Sequence, residues 1–489
     1  IAKRNKIKVR FAPSPTGFMH IGNLRTALWD YFMARQAEGE FIIRVEDTDQ
    51  ERLVPGAIEA LLRSFARIGI DWDEGPVLND DGTLSEKGAF GPYTQTKRLD
   101  IYTKYATDLL AGGHAYYCFC SHERLEEMRA EQTALKQNPK YDRKCTSLGA
   151  DEVVARIAGG ERPVIRMKMP EGVVTFDDAI RGRISFDLKD MDDQVIMKSN
   201  GIPTYHLAVV IDDHLMEISH VLRGEEWLSS TPKQIVLCKM LGIQMPIYAH
   251  VPLILNPDKT KLSKRKWNAI VETFLDMGYT PAALKNFIAT LGFNPSATQE
   301  IFTLDELIKA FDISRVNKSG AVMNIEKLDW MNKQYLVAMG EGEYLALAKA
   351  FVSVDLEDPF MKRAALVEKM RSSRLTELSA LQEQYFTTQR VSHEDLIGKK
   401  GTLEGTKNAL VRMEKVIADL PEETLSAPSL IESAIKAYIA ESGLQTGLVL
   451  SPLRIALSTR VQSAGPFEYV YILQKEESLK RIREALSLL

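Results

Sequence analysis

The sequence of 489 residues contains little cysteine and no long apolar run. Its four cysteines, Cys118, Cys120, Cys145 and Cys238, are too few for a disulfide scaffold, so we expect a reducing, cytoplasmic environment. No run of about eighteen apolar residues occurs, which argues against a transmembrane helix and a membrane partner. The opening segment, IAKRNKIKVRF, lacks the apolar stretch and the cleavage site of a secretory signal.

An excess of positive charge is also missing. The chain has 62 lysines and arginines against 66 aspartates and glutamates, which gives a net charge of −4. A nucleic-acid partner is therefore not indicated by bulk charge, and any such surface must concentrate its cations on one face. The pattern GxxxxGK[ST] does not occur, which excludes a Walker A nucleotide site. What remains is the composition of an ordinary globular protein that is long enough for several domains.

Alternating strand and helix patterns open the chain. Residues 7–11 and 41–45 are short apolar segments typical of buried strands, and amphipathic helices are predicted at 21–38 and 56–70. Gly39 is expected to end the first helix. The order strand, helix, strand, helix indicates a parallel, doubly wound sheet of the Rossmann type.

The pattern then changes twice. Helical segments, the cysteines and turns rich in glycine and aspartate predict an α+β insertion, after which apolar runs predict that the sheet resumes. The end of the chain has a helical pattern. We therefore predict an α/β doubly wound domain with an inserted α+β subdomain, followed by all-α C-terminal domains. The predicted segments are the first half of the doubly wound domain (1–99), the insertion (100–204), the second half (205–255), a connecting region (256–325) and the helical part (326–489).

The first strand-to-helix turn, FAPSPTGFMHIG, combines stiffness with an opening for a ligand. Pro13 and Pro15 fix their φ angles, whereas Gly22 lets a ligand approach the backbone. Ligands of parallel sheets bind beyond the carboxyl ends of the strands, and a helix N-terminus there favours anions. His20 stands at that helix start, where its ring can donate to a phosphate oxygen. The turn favours a nucleoside triphosphate site, although H-x-G alone fits a stiff turn with an incidental histidine equally well.

A second charged stretch, NPDKTKLSKRK (256–266), carries five lysines and arginines. Most such runs are solvated turns. Here the order K-x-S-K-R, with proline and aspartate just before it, arranges cations and a hydroxyl as a phosphate clamp requires.

These stretches together resemble a known family. His20–Asn23 is similar to the HIGH signature of class I aminoacyl-tRNA synthetases, and Lys261–Arg265 is similar to their KMSKS signature. The segments RFAPSPTG, RVEDTDQER, 203–234 and VPLILNPDKTKLSKRK resemble more narrowly the bacterial type of glutamyl-tRNA synthetase. The resemblance covers most of residues 7–340 and continues more weakly to the C-terminus.

The resemblance implies ATP-dependent attachment of L-glutamate to tRNA(Glu) through a glutamyl-adenylate, with Mg²⁺ beside the ATP. It also implies that the insertion binds the acceptor end, that 256–325 contacts the stem and that 326–489 binds the anticodon. A carboxylate nucleophile is already ionised at neutral pH, so catalysis must rest on positioning and charge neutralisation. The implied catalytic residues are His20, Lys261 and Lys264, and the ATP-binding residues are His20, Gly22, Glu226, Ile254, Lys261, Ser263, Lys264 and Arg265.

Glutamate has two carboxylates and one ammonium, so its pocket needs about two cationic forks and one anion. The sequence offers two arginines, a tyrosine hydroxyl and a carboxylate near the predicted ligand edge of the sheet. The resemblance implies the same positions and adds two small residues. The full predicted set is Arg10, Ala12, Ser14, Glu46, Tyr205 and Arg223. Two departures stand out, because Val209 occupies the place of an amide found in some members and Trp267 follows the basic loop where a small residue is common.

Three cysteines, Cys118, Cys120 and Cys145, follow the pattern C-x-C…Y-x₃-C. Soft thiolates at this spacing suit tetrahedral Zn²⁺, although an apolar cluster without metal gives the same pattern. The resemblance suggests Tyr141 as the fourth ligand, with His122 or water as alternatives. Cys238, in the apolar run IVLCKML, is expected in the core.

The helical C-terminal part carries no catalytic signature. By resemblance it binds the anticodon, and Arg374 in RSSRLTEL is a candidate for reading an anticodon base. Two alternatives remain, a non-discriminating enzyme that also charges tRNA(Gln) and a non-catalytic tRNA-binding paralog. A paralog would be expected to lose the chemistry of His20 or Lys264, which this chain keeps. We expect a monomer that requires tRNA to activate glutamate.

Overall fold

A computed structural model describes residues 6–262 and 269–489. The predicted residues Ser263, Lys264, Arg265 and Trp267 lie outside this described part. The chain divides into two compact units, with 1–275 and 281–328 in unit 1 and 276–280 and 329–489 in unit 2. No helix within the described ranges is both long and apolar enough to cross a membrane.

All strands of the described residues fall in unit 1. They are β1 (Lys8–Phe11), β2 (Glu40–Ile43), β3 (Gly75–Leu78), β4 (Leu84–Lys87), β5 (Ala115–Cys118), β6 (Val164–Met167), β7 (Val173–Asp178), β8 (Gly182–Asp187), β9 (Val195–Met197), β10 (His220–Gly224), β11 (Ile247–Val251), β12 (Ile254–Leu255) and β13 (Ala321–Val322).

Ten α-helices accompany these strands in the described residues before position 325. They are α1 (Ile21–Gln36), α2 (Ala57–Ile68), α3 (Leu99–Ala111), α4 (His122–Ala134), α5 (Ala150–Ala158), α6 (Tyr205–Leu215), α7 (Thr231–Leu241), α8 (Val271–Asp276), α9 (Pro281–Ala289) and α10 (Leu304–Ala310).

Two parallel strand pairs form the doubly wound part of unit 1. β1 pairs with β2, and α1 connects them. β10 pairs with β11, with Arg223 opposite His250, and α7 connects them. The backbone N–H of Ser219 donates to the carbonyl of Lys8 at 2.8 Å, which brings β10 beside β1. The predicted doubly wound architecture is confirmed, and it sets Arg10 of β1 near Arg223 of β10.

The first helix is slightly shorter than predicted. Leu24, Leu28 and Phe32 are fully buried, as the helical pattern requires. The helix ends at Gln36 because the chain must turn tightly to enter β2. A Cβ on Gly39 would collide with the carbonyl oxygen of Ile7, so this position needs glycine.

The apolar run that begins at Tyr205 is a helix, where the sequence predicted a return to the sheet. α6 occupies Tyr205–Leu215, and the sheet resumes only with β10 at His220. The helix is buried on nearly all sides, so it shows no polar face, and a short continuous apolar run does not distinguish a buried helix from a strand.

The insertion between the strand pairs is α+β, as predicted. Strands β5, β6 and β9 form an antiparallel sheet, and β7 and β8 form a hairpin. The backbone N–H of Ala179, just after β7, donates to the carbonyl of Tyr248 in β11 at 2.9 Å. The hairpin therefore adjoins the doubly wound sheet.

Unit 2 is helical, and its described residues contain no strand. Helix α11 (Ile325–Ala338) includes the division between the units. The remaining helices are α12 (Glu341–Ala348), α13 (Pro359–Lys369), α14 (His393–Ile397), α15 (Leu403–Asp419), α16 (Pro428–Glu441), α17 (Thr446–Ser458) and α18 (Pro466–Leu488). Three of them begin with proline, which lacks only an N–H that the first turn leaves unpaired. Leu410, Leu453 and Ile482, from α15, α17 and α18, are fully buried in one hydrophobic cluster.

Candidate active site

The turn after β1 places His20 at the start of α1. Its ring Nδ1 accepts a hydrogen bond from the backbone N–H of Gly22 at 3.1 Å and caps the helix. Because Nδ1 is the acceptor, the neutral ring carries its proton on Nε2. A Cβ on Gly22 would lie 3.4 Å from this Nδ1, in van der Waals contact with the capping ring. The HIGN turn therefore fixes the orientation and the tautomer of the histidine.

A cavity of about 380 Å³, here called cavity A, lies at the carboxyl ends of β1 and β10. All of the predicted glutamate residues line it, together with Glu226. Trp227 also contributes to the lining, and its ring lies 4.2 Å from that of Tyr205, centroid to centroid. The lining set from the prediction is Arg10, Ala12, Ser14, Glu46, Tyr205 and Arg223. Val209 does not line the cavity but is buried in the hydrophobic cluster around α6.

Two buried carboxylates hold two buried arginines at the base of cavity A. Asp213 Oδ1 accepts from Arg10 Nε at 3.1 Å and from Arg44 Nη1 at 2.8 Å. Arg44 Nη2 also donates to Glu46 Oε1 at 3.0 Å. Burial alone would raise the pKa of Asp213, but the two arginines outweigh it and hold that pKa below its usual range. Asp213 and Arg44, which do not line cavity A, therefore hold Arg10 and Glu46 in their orientations.

Arg223 is held differently, by neutral acceptors only. Its Nε donates to His250 Nε2 at 3.1 Å, its Nη1 to the Tyr205 hydroxyl at 3.1 Å, and its Nη2 to the Thr231 hydroxyl at 2.7 Å. Only 6% of Arg223 is exposed, and no carboxylate of the described residues forms a salt bridge with it. A buried guanidinium without an anionic partner costs free energy, so this cation favours an anionic ligand in cavity A.

A second cavity of about 510 Å³, cavity B, shares Asn23, Thr26, Gly224 and Glu226 with cavity A. The described residues of the predicted ATP set line it, namely His20, Gly22, Glu226, Ile254 and Lys261. The two cavities therefore adjoin along these shared residues. This arrangement places an amino-acid-sized space beside a nucleotide-sized space.

Arg25 is a charged residue of cavity B that the sequence patterns did not single out. Its guanidinium donates to the carbonyl of Leu291 at 3.1 Å and to the carbonyl of Pro252. Burial lowers the pKa of Arg25 to about 10, which still leaves it charged at neutral pH. It adds a cation to the cavity that the histidine and Lys261 also line.

The three cysteines meet in one cluster with Tyr141. The Tyr141 hydroxyl lies 3.4 Å from Cys118 Sγ and 3.3 Å from Cys120 Sγ, and Cys120 Sγ lies 3.6 Å from Cys145 Sγ. Tetrahedral zinc with Zn–S near 2.3 Å and Zn–O near 2.0 Å needs adjacent donors roughly 3.5–3.8 Å apart. The three distances, 3.3–3.6 Å, are close to the spacing that a Cys₃Tyr site requires.

His122 is not part of that cluster. Its Nε2 pairs with Glu126 Oε1 at 3.0 Å, and its side chain is 75% exposed. Of the two protein side chains considered as fourth ligand, the structure brings only Tyr141 to the cysteines. Cys238 is buried in α7, away from the cluster, as expected of a core residue.

Arg374, the candidate anticodon residue, forms a bidentate ion pair within unit 2. Its Nε donates to Asp329 Oδ1 at 2.7 Å and its Nη2 to Asp329 Oδ2 at 2.8 Å. Its guanidinium also lies 5.1 Å from the ring centroid of Tyr279. The side chain is 28% exposed, so it keeps some access to solvent.

Several residues that organise cavity A were missed by sequence reasoning. They are Arg44, Asp213, Thr231, His250 and Asp178, which is hydrogen-bonded to His250. One signal was available, because two consecutive aspartates stand in the apolar segment AVVIDDHLM and a buried charge needs a partner. The histidine and the threonine gave no comparable signal.

Comparisons with known proteins identify the family of this chain. A family model described as the catalytic domain of class I tRNA synthetases (E and Q) matches residues 6–330, and a model for an anticodon-binding domain matches residues 343–486. The glutamate–tRNA ligase of Clostridioides difficile is 42% identical over 97% of this chain and 98% of its own length. That of Dehalococcoides mccartyi is 42% identical over 99% of this chain and 98% of its own length.

A solved structure is similar over the same extent. The crystal structure of a glutamate tRNA ligase from Elizabethkingia meningosepticum, in complex with its amino acid, has a TM-score of 0.86. It is 33% identical to this chain and covers 99% of this chain and all of its own. With the matched catalytic and anticodon-binding models and these full-length relatives, the chain belongs to the glutamate–tRNA ligases of the class I tRNA synthetase family.

Proposed function

We propose that cavity A binds L-glutamate and cavity B binds ATP, and that the chain attaches the activated glutamate to tRNA(Glu). The observation that carries the assignment is Arg223, a buried cation that pairs with no carboxylate of the described residues. It lies on the wall of a cavity adjoining the one that His20 lines. Glutamate is an anion of a size that about 380 Å³ accommodates. The name of the relatives supports the same substrate.

The charge pattern of cavity A matches the charges of glutamate. Arg10 and Arg223 supply guanidinium groups for the carboxylates, and the Tyr205 hydroxyl lies 3.1 Å from Arg223 Nη1. Glu46 receives the substrate ammonium, because one of its oxygens is held by Arg44 while the other accepts no hydrogen bond from the described residues. Ala12 and Ser14 line cavity A with small side chains.

Activation joins the α-carboxylate of glutamate to the α-phosphate of ATP and releases pyrophosphate. No base is needed, so the protein acts by positioning and by stabilising charge on the phosphates. The N–H of His20 Nε2 donates a hydrogen bond to a phosphate oxygen of ATP. Lys261 and Arg25 add positive charge at cavity B. Mg²⁺ enters with ATP as part of the substrate. Gly22 and Ile254 complete the nucleotide wall, and from the sequence Ser263, Lys264 and Arg265 join them.

The remaining assignments follow the same family. We assign residues 100–204 to the acceptor end of tRNA, 256–325 to its stem and 326–489 to its anticodon, with Arg374 as a base-reading candidate. Reading a base through Arg374 requires that the Asp329 pair either opens or orients the remaining N–H groups toward the base. We expect the enzyme to act as a monomer in the cytoplasm.

The cysteine cluster is proposed to hold one structural Zn²⁺. Cys118, Cys120, Cys145 and the Tyr141 oxygen would be its ligands, because their donor atoms already have nearly tetrahedral spacing. When bound, the ion would replace the hydrogen bonds among these groups and fix α4 and the following loop. It has no role in the reaction of cavities A and B.

The function is tested by aminoacylation with purified tRNA(Glu) and tRNA(Gln) and by ATP–pyrophosphate exchange with and without tRNA. We expect glutamate to be attached to tRNA(Glu), with exchange only when tRNA is present. Absence of charging on either tRNA, with a folded protein, would contradict the proposal. Charging of both tRNAs would identify the non-discriminating form.

A further inference from the structure

A pair of buried residues behind cavity A determines how Arg223 is presented. His250, in β11, and Asp178, at the end of β7, are both fully buried in their side chains. His250 Nδ1 lies 2.6 Å from Asp178 Oδ2, and His250 Nε2 lies 3.1 Å from Arg223 Nε. Neither residue lines cavity A. The three side chains form a chain from the inserted hairpin to the substrate cation.

The hydrogen bonds fix the protonation of His250. Arg223 Nε is only a donor, so His250 Nε2 must be the acceptor and the ring proton must be on Nδ1. Asp178 is the acceptor for that proton, and its other oxygen accepts from the backbone N–H groups of Ile180 and Arg181 at 3.0 and 2.9 Å. Burial lowers the pKa of His250, which keeps the ring neutral beside two arginines, Arg223 and Arg181.

We propose that His250 is a positioning residue for glutamate recognition, held by Asp178 in the tautomer that accepts from Arg223 and so aims this guanidinium at the substrate carboxylate. The neutral acceptor matters because a carboxylate in its place would neutralise Arg223 and remove its attraction for glutamate. The Thr231 hydroxyl acts in the same way on Nη2. This inference rests on the proposed binding of glutamate in cavity A.

Two replacements at His250 distinguish the roles of the two ring nitrogens, Nε2 and Nδ1. In His250→Gln the side-chain oxygen can reach the position of Nε2 and still accept from Arg223. In His250→Asn the amide reaches only the position of Nδ1, so the acceptor for Arg223 is lost. We expect His250→Asn to raise the KM for glutamate by about 10- to 100-fold, the effect of one hydrogen bond to a charged group. The KM for ATP should change by less than about twofold, and His250→Gln should recover most of the glutamate affinity.

Asp178→Asn is the second variant and does not change the size of the side chain. Its carbonyl oxygen must stay with the backbone N–H groups of Ile180 and Arg181 and can also keep that of His250 at 3.3 Å, so its NH₂ faces His250 Nδ1 and drives the ring proton to Nε2. The contact of the His250 backbone N–H with the second oxygen, at 3.1 Å, is lost. A donor then faces the Arg223 N–H, and the KM for glutamate should rise about as much as in His250→Asn. When His250→Asn and Asp178→Asn are combined, the increase in the KM for glutamate should be far smaller than the product of the two single increases. Both changes remove the same hydrogen bond to Arg223.

The exposed His114→Asn is the control for a histidine-to-asparagine change and, at saturating tRNA, should leave the KM values for glutamate and ATP unchanged. Equal KM values for glutamate in His250→Asn, His250→Gln and the parent protein would overturn the proposal, as would a normal KM in Asp178→Asn. Arg223→Ala separates this failure from failure of the site itself. If Arg223→Ala is impaired while these variants are normal, cavity A stands and only the role of His250 is wrong.

Discussion

Cavity A and the cysteine cluster both gather polar groups inside unit 1, but they differ in how those groups are satisfied. Cavity A collects residues far apart in sequence, and its buried charges are paired by the protein except for Arg223. The cluster collects Cys118, Cys120 and Cys145, whose thiols contact each other, the Tyr141 phenol and the guanidinium groups of Arg124 and Arg166, and none of these contacts is with a carboxylate of the described residues. In cavity A, the cation Arg223 is available for an anionic ligand. In the cysteine cluster, thiols that can ionise to thiolates are available for a metal cation. The charge left without a partner therefore identifies the kind of ligand at each place.

The largest expected effect is loss of the metal from the cysteine cluster. We expect about one zinc per chain in metal-replete protein, since structural sites of this type bind with apparent free energies on the order of 10 kcal/mol. Changing Cys118→Ser together with Cys120→Ser should reduce zinc to background by elemental analysis. Cys238→Ser, a buried cysteine outside the cluster, is the matched control and should keep full zinc. Full occupancy in the double variant would place the metal elsewhere.

The next effect concerns the paired charges of cavity A. Asp213→Ala removes the shared acceptor of Arg10 and Arg44, so two buried guanidinium groups lose a partner. The free energy of unfolding should fall by about 3–5 kcal/mol, measured by urea unfolding. Glu341→Ala is the control, because its carboxylate is 55% exposed and pairs with Lys362 at the surface. That change should cost less than about 1 kcal/mol. Similar losses in both variants would remove the distinction between the two kinds of pair.

The smallest effect tests, through pH, how far burial keeps the His206 ring neutral. Burial, with help from Lys233 and Arg223, lowers the pKa of His206 to about 4. Between pH 4 and about 6.5 the unfolded chain binds a proton at this residue while the folded chain does not, so stability falls as the pH drops through this range. The parent protein should lose about 2 kcal/mol between pH 7 and pH 5 that His206→Gln does not lose. Parallel pH profiles of unfolding free energy for the two proteins would show that the ring is not kept neutral.

The residues that line cavity A were easier to predict than the residues that hold them in place. Arg10, Glu46, Tyr205 and Arg223 stand at strand ends or helix starts, where a parallel sheet binds its ligands, so their place followed from the order of elements. Asp213 contacts Arg10, which is 203 positions away in the chain, and His250 contacts Arg223, which is 27 positions away. Such contacts arise only from tertiary packing. The helical state of 205–215 was missed for a related reason, because burial on all sides removes the amphipathic pattern.

The central claim is that Arg223 is the cation reserved for glutamate, and kcat/KM for glutamate in Arg223→Ala tests it most directly. The account predicts a fall of roughly two to three decades or more, because a substrate carboxylate would be buried without its partner. The KM for ATP should change little. A kcat/KM for glutamate near that of the parent protein would contradict the assignment of cavity A.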